Sequence, residues 1–319
     1  MALFLREAEI GRLLDMPATI QAVEEALREQ GRDQASNQPR RRIYVPGGAL
    51  HVMAAGLPGR GVMGLKAYTT VRGRARFVVL LFSAVGGELL AALEADELGR
   101  LRTGAASGVA TKYLARPDAQ VVGIFGTGYQ ARTQAQAMCA VRPVREVRVY
   151  GRDAERRRRF CQELEGVLQC EVRSADSPEH VVRGADVLIT ITASKEPVFD
   201  GRLLEPGQHL NVAGSNQLQK REVDDETIRR ASRIVVDQIE DAKVESGDLV
   251  GPVERGLVRW EQMCDLGAVV AGRAPGRVRP EEITLFKSNG LALEDVATAC
   301  TVFERARANG VGTEFSFAA

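Results

Sequence analysis

The segment Val121-Val122-Gly123-Ile124-Phe125-Gly126-Thr127-Gly128-Tyr129-Gln130-Ala131 carries the clearest chemical prescription in the chain. A short apolar run ends at Gly126, and the pattern G-x-G-x-x-A follows. Gly126 permits a tight turn, Gly128 lets the backbone approach a pyrophosphate, and Ala131 allows a helix to pack closely on the strand. The start of that helix offers amide hydrogens and a positive dipole end to phosphates. Thr127, Tyr129 and Gln130 complete the turn. A lone G-x-G is weak, but here strand, turn, helix and a second strand occur in the required order. The second strand ends at Val149-Tyr150 and is followed by Gly151, Arg152 and Asp153. An NAD site places an acidic residue there for the ribose 2′-hydroxyl, whereas an arginine accommodates a 2′-phosphate. Arg152 suits the phosphate, Arg156 lies one helical turn on, and Asp153 falls past the expected position. NADPH is therefore the expected cofactor, with NADH possible. Thr192, Ala213 and Ser288, where later apolar runs end, join the cofactor-binding candidates.

The elements that must hold this turn are legible on either side. Asp15 and Pro17 open a helix whose face is marked by Ile20, Val23 and Leu27 at helical spacing. Residues 32–42 are polar and arginine-rich and read as a loop. From Ile43 to Leu93, short apolar runs broken by glycine predict an antiparallel sheet, with Gly86-Gly87 as the hairpin between Phe77–Ser83 and Leu89–Leu93. Thr103–Leu114 has helical composition, and Arg116-Pro117-Asp118 punctuates it. Beyond it come Val121–Phe125, Val147–Tyr150, Val187–Thr192, His209–Ala213, Ile234–Val236 and Ile283–Phe286, separated by helical or polar stretches. That alternation predicts βαβ units and a parallel sheet. The expected class is α/β: a Rossmann-type parallel-sheet domain from residue 116 on, preceded by a smaller α+β domain, the boundary falling near Ala115.

Composition excludes several classes. In 319 residues, 43 Lys and Arg offset 42 Asp and Glu, for a net charge of +1; this leaves no bulk electrostatic basis for binding nucleic acid. The clusters Arg40-Arg41-Arg42 and Arg156–Arg159, taken alone, read as solvated faces. The five cysteines, Cys139, Cys161, Cys170, Cys264 and Cys300, and the scattered His51, His180 and His209 show no metal-ligand spacing. They fit a reducing compartment. Arg6, Glu7, Glu9 and Arg12 interrupt any leader-like apolar core, and no apolar run is long enough to span a bilayer. A cytoplasmic protein without membrane or nucleic-acid partners is expected.

Several motifs in fixed order resemble the ornithine cyclodeaminase and mu-crystallin family. They are Arg102-Thr103-Gly104-Ala105-Ala106-Ser107 with Ala110-Thr111-Lys112-Tyr113-Leu114, the glycine turn, Val212–Asp224, Glu245-Ser246-Gly247-Asp248, and Phe286-Lys287-Ser288-Asn289-Gly290 with Glu294-Asp295. The resemblance implies that 291–319 joins 1–115 as the dimerisation and substrate domain, leaving 116–290 as the Rossmann domain; it also implies a homodimer, formed through that first domain, and a small imino- or amino-acid substrate. It also implies three basic residues that grip the substrate carboxylate, matching Arg42, Lys66 and Arg102 here. Arg42 is chosen over Arg40 and Arg41 by alignment on Pro46. A guanidinium holds a carboxylate bidentately and so fixes the adjacent carbon against the nicotinamide. The glycine-punctuated runs of 43–93 also lack helical cover of their own, which independently calls for a partner surface.

One departure bears on the reaction. Cyclodeaminases and alanine dehydrogenases of the family carry an aspartate in the loop after the fourth Rossmann strand. Alignment on Glu222-Val223-Asp224 puts Asn216 in its place, within Ala213-Gly214-Ser215-Asn216-Gln217. An amide is no general acid or base. A cyclic imine, once protonated, accepts hydride directly, and Asn216 or Ser215 could orient it. Lys66 and Asn216 are thus the catalytic candidates. The expected reaction is NADPH-dependent reduction of Δ1-pyrroline-2-carboxylate or Δ1-piperideine-2-carboxylate to L-proline or L-pipecolate. The alternatives are NAD-dependent ornithine cyclodeamination to L-proline and ammonia, alanine-type dehydrogenation, and a non-catalytic NADP-binding protein.

Overall fold

The computed structural model describes residues 1–317 and divides into two compact units, Met1–Arg102 with the residues from Leu291 on, and Thr103–Gly290. The division falls inside the helix Asp96–Leu114, not beyond its end near Ala115. An unbroken helix shows no punctuation in sequence; only tertiary contacts reveal that Asp96–Arg102 and the rest of it belong to different units.

The first unit is built on a seven-stranded sheet. Its strands are β1 (Ala2–Leu5), β2 (Ser36–Val45), β3 (Gly48–Leu57), β4 (Val62–Val71), β5 (Arg74–Ser83), β6 (Leu89–Glu94) and a last strand, Thr313–Phe315, beside β1. Strands β2 to β6 form an antiparallel meander, and β1 runs parallel to β6. The hairpin at Gly86-Gly87 joins β5 to β6 as expected. Asp15 caps Met16–Gly31, its side chain accepting from the Ala18 amide at 2.8 Å. The polar stretch 36–42, read as loop, is strand. It forms the sheet's edge, where charged residues and Pro39 are tolerated because one row of backbone groups faces solvent. The C-terminal helix Ala292–Asn309 lies across β2 to β6 and also packs against Met16–Gly31. Gly64 permits its close approach, since a Cβ there would sit 3.1 Å from Val296. The other sheet face keeps apolar rows, Ala54–Leu65–Leu80 and Val52–Ala67–Val78, half-exposed.

The second unit holds an eight-stranded, wholly parallel sheet: β7 (Val121–Phe125), β8 (Glu146–Tyr150), β9 (Glu171–Ser174), β10 (Val187–Thr190), β11 (His209–Val212), β12 (Arg233–Val236), β13 (Met263–Asp265) and β14 (Thr284–Lys287). Their order is β13-β12-β14-β11-β10-β7-β8-β9. The edge strands β9 and β13 carry no apolar run to mark them in the sequence: they read Glu171-Val172-Arg173-Ser174 and Met263-Cys264-Asp265. Order reverses between β7 and β10, and open parallel sheets bind ligands at the carboxyl ends of strands flanking such a switch. The motif around Gly104 packs helix to helix: a Cβ on Gly104 would lie 2.5 Å from the Thr133 carbonyl oxygen.

Candidate active site

The glycine turn sits at the switch point of the second unit. Gly126 adopts φ +123°, and a Cβ there would lie 2.5 Å from the carbonyl oxygen of Ile191, in the loop after β10. Only glycine fits both constraints. Around Gly128, by contrast, a Cβ would meet nothing within 4 Å. One glycine closes the turn and the other leaves open space beside the start of the helix Ala131–Val141. That pairing fits a pyrophosphate on the helix N-terminus. Thr127 contacts the next loop: Arg156 Nε donates to its carbonyl at 3.3 Å, and a Cβ on Gly151 would meet its methyl at 3.0 Å. Tyr129 is exposed, and Gln130 is the residue before the helix.

The end of β8 sorts its charges by partner. Asp153 caps the helix Ala154–Glu165, accepting from the Arg156 amide at 2.9 Å. Arg157 is spent on the Gly151 carbonyl (2.8 Å) and Ser174 (2.7 Å). Arg152 is exposed and has no hydrogen bond or ion pair among the described residues.

The loops after β10 and β11 are tied by a buried carboxylate to which sequence reading assigned no role. Glu222 accepts from the Thr192 amide (2.6 Å) and hydroxyl (2.8 Å), the Thr190 hydroxyl (3.0 Å) and the Gly214 amide (2.7 Å). Burial pushes its pKa up, Lys287 opposes that, and Asp248 adds to it. Asp248 in turn accepts from the Glu222 amide at 2.6 Å and pairs with the fully buried Lys287 at 3.1 Å. Lys287 also donates to the Ser215 carbonyl at 2.7 Å. Asp237 accepts from the amides of Asn289 and Gly290, both at 2.5 Å. This network sets Thr192, Ala213 and Ser288 at the carboxyl ends of β10, β11 and β14, where the Ala213 amide donates to Thr190 and that of Ser288 to Val212. Asn216 lies in the same loop, its Nδ2 at 3.5 Å from the Asn289 carbonyl. Glu222, Asp248 and Lys287 all lie in motifs visible in the sequence. What was missing was any sign that they meet.

The basic candidates gather in the first unit. Lys66 on β4 and Arg102 are buried, and both meet Asp295 in the first turn of Ala292–Asn309. Lys66 Nζ lies 2.7 Å from Asp295 Oδ1, and Arg102 Nε lies 3.1 Å from the same oxygen. Arg102 Nη1 donates to Glu294 at 2.7 Å. Burial brings the Lys66 pKa down to about 8 against the pull of Asp295, with Arg102 and Arg40 pressing the same way as burial. Burial would also lower Arg102, but Asp295 and Glu294 hold it above its ordinary value. Arg42 pairs across the sheet with His51, and His51 with Tyr68, whose ring stacks on the imidazole at 4.1 Å. Arg40, two residues before Arg42, lies on the same face by strand alternation, next to a register shift between Gln38 and Arg41. Arg40 is buried and Arg42 is half-exposed. Burial, then Arg42 and Arg40, bring the His51 pKa down to about 4. Two arginines of β2 thus flank this face.

A parallel sheet with a glycine turn at its switch point, in a chain whose other unit buries Lys66 and Arg102 on one aspartate, defines a nicotinamide-dependent oxidoreductase. The chain belongs to the ornithine cyclodeaminase/mu-crystallin family, whose model matches residues 1–310. It is 39% identical over 241 residues to the Δ1-pyrroline-2-carboxylate reductase of Bacillus cereus, covering 75% of this chain and 74% of that one. Among solved structures it resembles the Thermococcus litoralis Δ1-pyrroline-2-carboxylate reductase in complex with NADH and L-proline. The TM-score is 0.94 and the identity 35%, over 98% of this chain and 100% of that one. It also resembles an archaeal alanine dehydrogenase dimer with bound NAD, with TM-score 0.93 and 34% identity over 99% of each chain. Among the described residues no helix is long and apolar enough to cross a membrane, and no group of three or more His, Cys, Asp or Glu side chains is arranged to hold a metal.

Proposed function

We propose that this protein reduces a cyclic ketimine carboxylate, Δ1-pyrroline-2-carboxylate or Δ1-piperideine-2-carboxylate, to L-proline or L-pipecolate, with NADPH as reductant. The observation that carries the reading is the pair Lys66 and Arg102, buried together on one aspartate. Burying two cations is costly unless they are paired and used, and pure nucleotide binding needs neither. When bound, the nicotinamide supplies a hydride to the imine carbon. Lys66 and Arg102 take the carboxylate beside that carbon, with Arg42 at the edge of the same face, and so fix its orientation. Asn216 acts by hydrogen bonding alone, since an amide cannot relay protons. The names of the reductases to which the chain is similar support the substrate class.

Arg152 supports NADPH, because it is the unpaired cation at the end of β8 while Asp153 is committed to a helix cap. The bound NADH and NAD of the similar structures keep NADH as the second reading. The half-exposed apolar rows of the first unit support a homodimer through that sheet face, since an uncovered apolar surface of this kind marks an interface.

A substrate panel tests the reading: both cyclic imines, pyruvate with ammonia or methylamine, and L-ornithine, each with both cofactors. Turnover of a cyclic imine should exceed all others, with NADPH preferred. Ammonia release from L-ornithine that outpaces imine reduction would overturn it in favour of cyclodeamination. Faster use of pyruvate with ammonia would favour an alanine-type dehydrogenase, and no turnover at all a non-catalytic binding protein. Light scattering should return a dimer mass at micromolar concentration.

A further inference from the structure

The acidic pair at the start of the C-terminal helix enters the reading above only as the partner of two cations, yet both acids are fully buried. Asp295 Oδ1 serves Lys66 Nζ at 2.7 Å and Arg102 Nε at 3.1 Å, while Asp295 Oδ2 is buried with no partner. Glu294 takes Arg102 Nη1. One oxygen therefore sets the spacing of two cations that come from β4 and from the helix Asp96–Leu114. Gly99 of that helix leaves the room: a Cβ there would lie 3.1 Å from Lys66 Nζ. The first turn of an 18-residue helix is a favourable place for two carboxylates. The contacts to Asp295 and Glu294 use one hydrogen of Lys66 and two nitrogens of Arg102, leaving the remaining lysine hydrogens and Arg102 Nη2 for a ligand.

We propose that Asp295 is a positioning residue: it binds Lys66 and Arg102 into one two-cation fork for a carboxylate and keeps the lysine protonated inside the protein. The proposal rests on the substrate-carboxylate reading above. The charged and titratable groups around Lys66 make the case. Arg40 and Arg42 on β2, His51 on β3, Tyr68 on β4, and Arg102 face it, with Asp295 and Glu294 on the C-terminal helix. Of these, Arg40 and Arg102 disfavour a charged lysine, as does burial itself. The rings of Phe77 and Tyr68, 5.3 and 5.9 Å from Nζ, add only a weak attraction for a cation. Asp295 is the full negative charge in contact with the ammonium. Without it, a buried amine among guanidinium groups gives up its proton.

The sign follows. Lys66 is protonated below about pH 8 and loses its charge above it, so carboxylate capture weakens as pH rises through that value. In Asp295→Asn, the loss moves to lower pH. The test has two arms on the holoenzyme. The first follows Lys66 by NMR of 13Cε-lysine, which needs no substrate; the chain has only six lysines, and Lys66→Arg assigns the signal. Its titration should shift to lower pH in Asp295→Asn. The second compares KM and kcat for Δ1-pyrroline-2-carboxylate. KM at pH 8 should rise by about tenfold or more, as expected for losing a charged contact, while kcat changes less. Asp295→Glu keeps the charge and should retain the wild-type titration with a raised KM; it serves as the test should Asp295→Asn fail to fold. An unshifted Lys66 titration in folded Asp295→Asn, or a wild-type KM in Asp295→Glu, overturns the proposal. Failure of the imines as substrates would instead overturn the function proposed above, and the NMR arm would still decide the role of Asp295.

Discussion

Two buried ionic clusters of similar composition differ in how their hydrogen-bonding capacity is spent. In the second unit, Glu222 is consumed by its surroundings. All four acceptor positions of Glu222 go to two strand-end loops, and Lys287 is divided between Asp248 and a backbone carbonyl. In the first unit, Lys66 and Arg102 share one aspartate oxygen and keep donors in hand. A buried charge whose hydrogen bonds are exhausted holds a loop. A buried charge with donors left over can receive a ligand. Composition does not separate the two cases; the count of satisfied bonds does.

The comparison breaks first at Glu222. Glu222→Ala removes four acceptors at once and leaves buried amides and hydroxyls unmet. It should cost about 3–5 kcal/mol of stability, the scale of breaking a buried ionic contact, read from denaturant unfolding. An effect on turnover without loss of stability would make Glu222 part of the site.

Lys66→Met should do the reverse in kind. We expect a loss of roughly 2–4 kcal/mol in kcat/KM, with cofactor affinity by fluorescence titration unchanged. Equal losses in cofactor binding would show that Lys66 is structural.

A pH scan sharpens the contrast. Burial brings the pKa of His209 in the second sheet down to about 3, with Arg277 adding to it. The folded state keeps this histidine neutral, so the unfolded state binds more protons between pH 3 and 6.5. Stability should therefore fall as pH drops below 6.5, by at most about 1.4 kcal/mol per pH unit from this group. Urea unfolding at pH 7.5 and 5 measures it, and His209→Gln should flatten the difference. A slope unchanged by His209→Gln refutes this assignment.

The smaller effects concern single contacts. Arg152→Ala should weaken NADPH by about 1.5–3 kcal/mol, the worth of a hydrogen bond to a charged group, and leave NADH unaffected. Equal affinity of wild type and variant for NADPH removes the argument for the 2′-phosphate. Asn216→Ala should cost less than Lys66→Met, about 1 kcal/mol in kcat/KM if it donates one neutral hydrogen bond. A loss as large as that of Lys66→Met would show that the amide does more than orient the substrate.

Much of the second unit was legible because its signals are local. Gly126 and Gly128, six of eight strands and the helix that follows β7 each leave a mark within a dozen residues. The edge strands β9 and β13 leave none, because an edge position does not require an apolar run and neither has one. In the first unit, Ser36–Arg42 of β2 reads as loop because an edge strand can be polar on both faces, and strand propensity is outweighed by position in the sheet.

The sequence by itself determined the α/β class, the glycine turn and the family resemblance, since each rests on residue types at short, fixed separations. Tertiary structure decided where the units divide, which arginines of β2 reach the Lys66 face, and which acids hold which bases. Lys66 and Asp295 stand 229 residues apart, and Thr190 and Glu222 stand 32 apart. Pairings at such separations are set by sheet order and the close seat of a helix on Gly64. Neither of these is a property of any local stretch of chain.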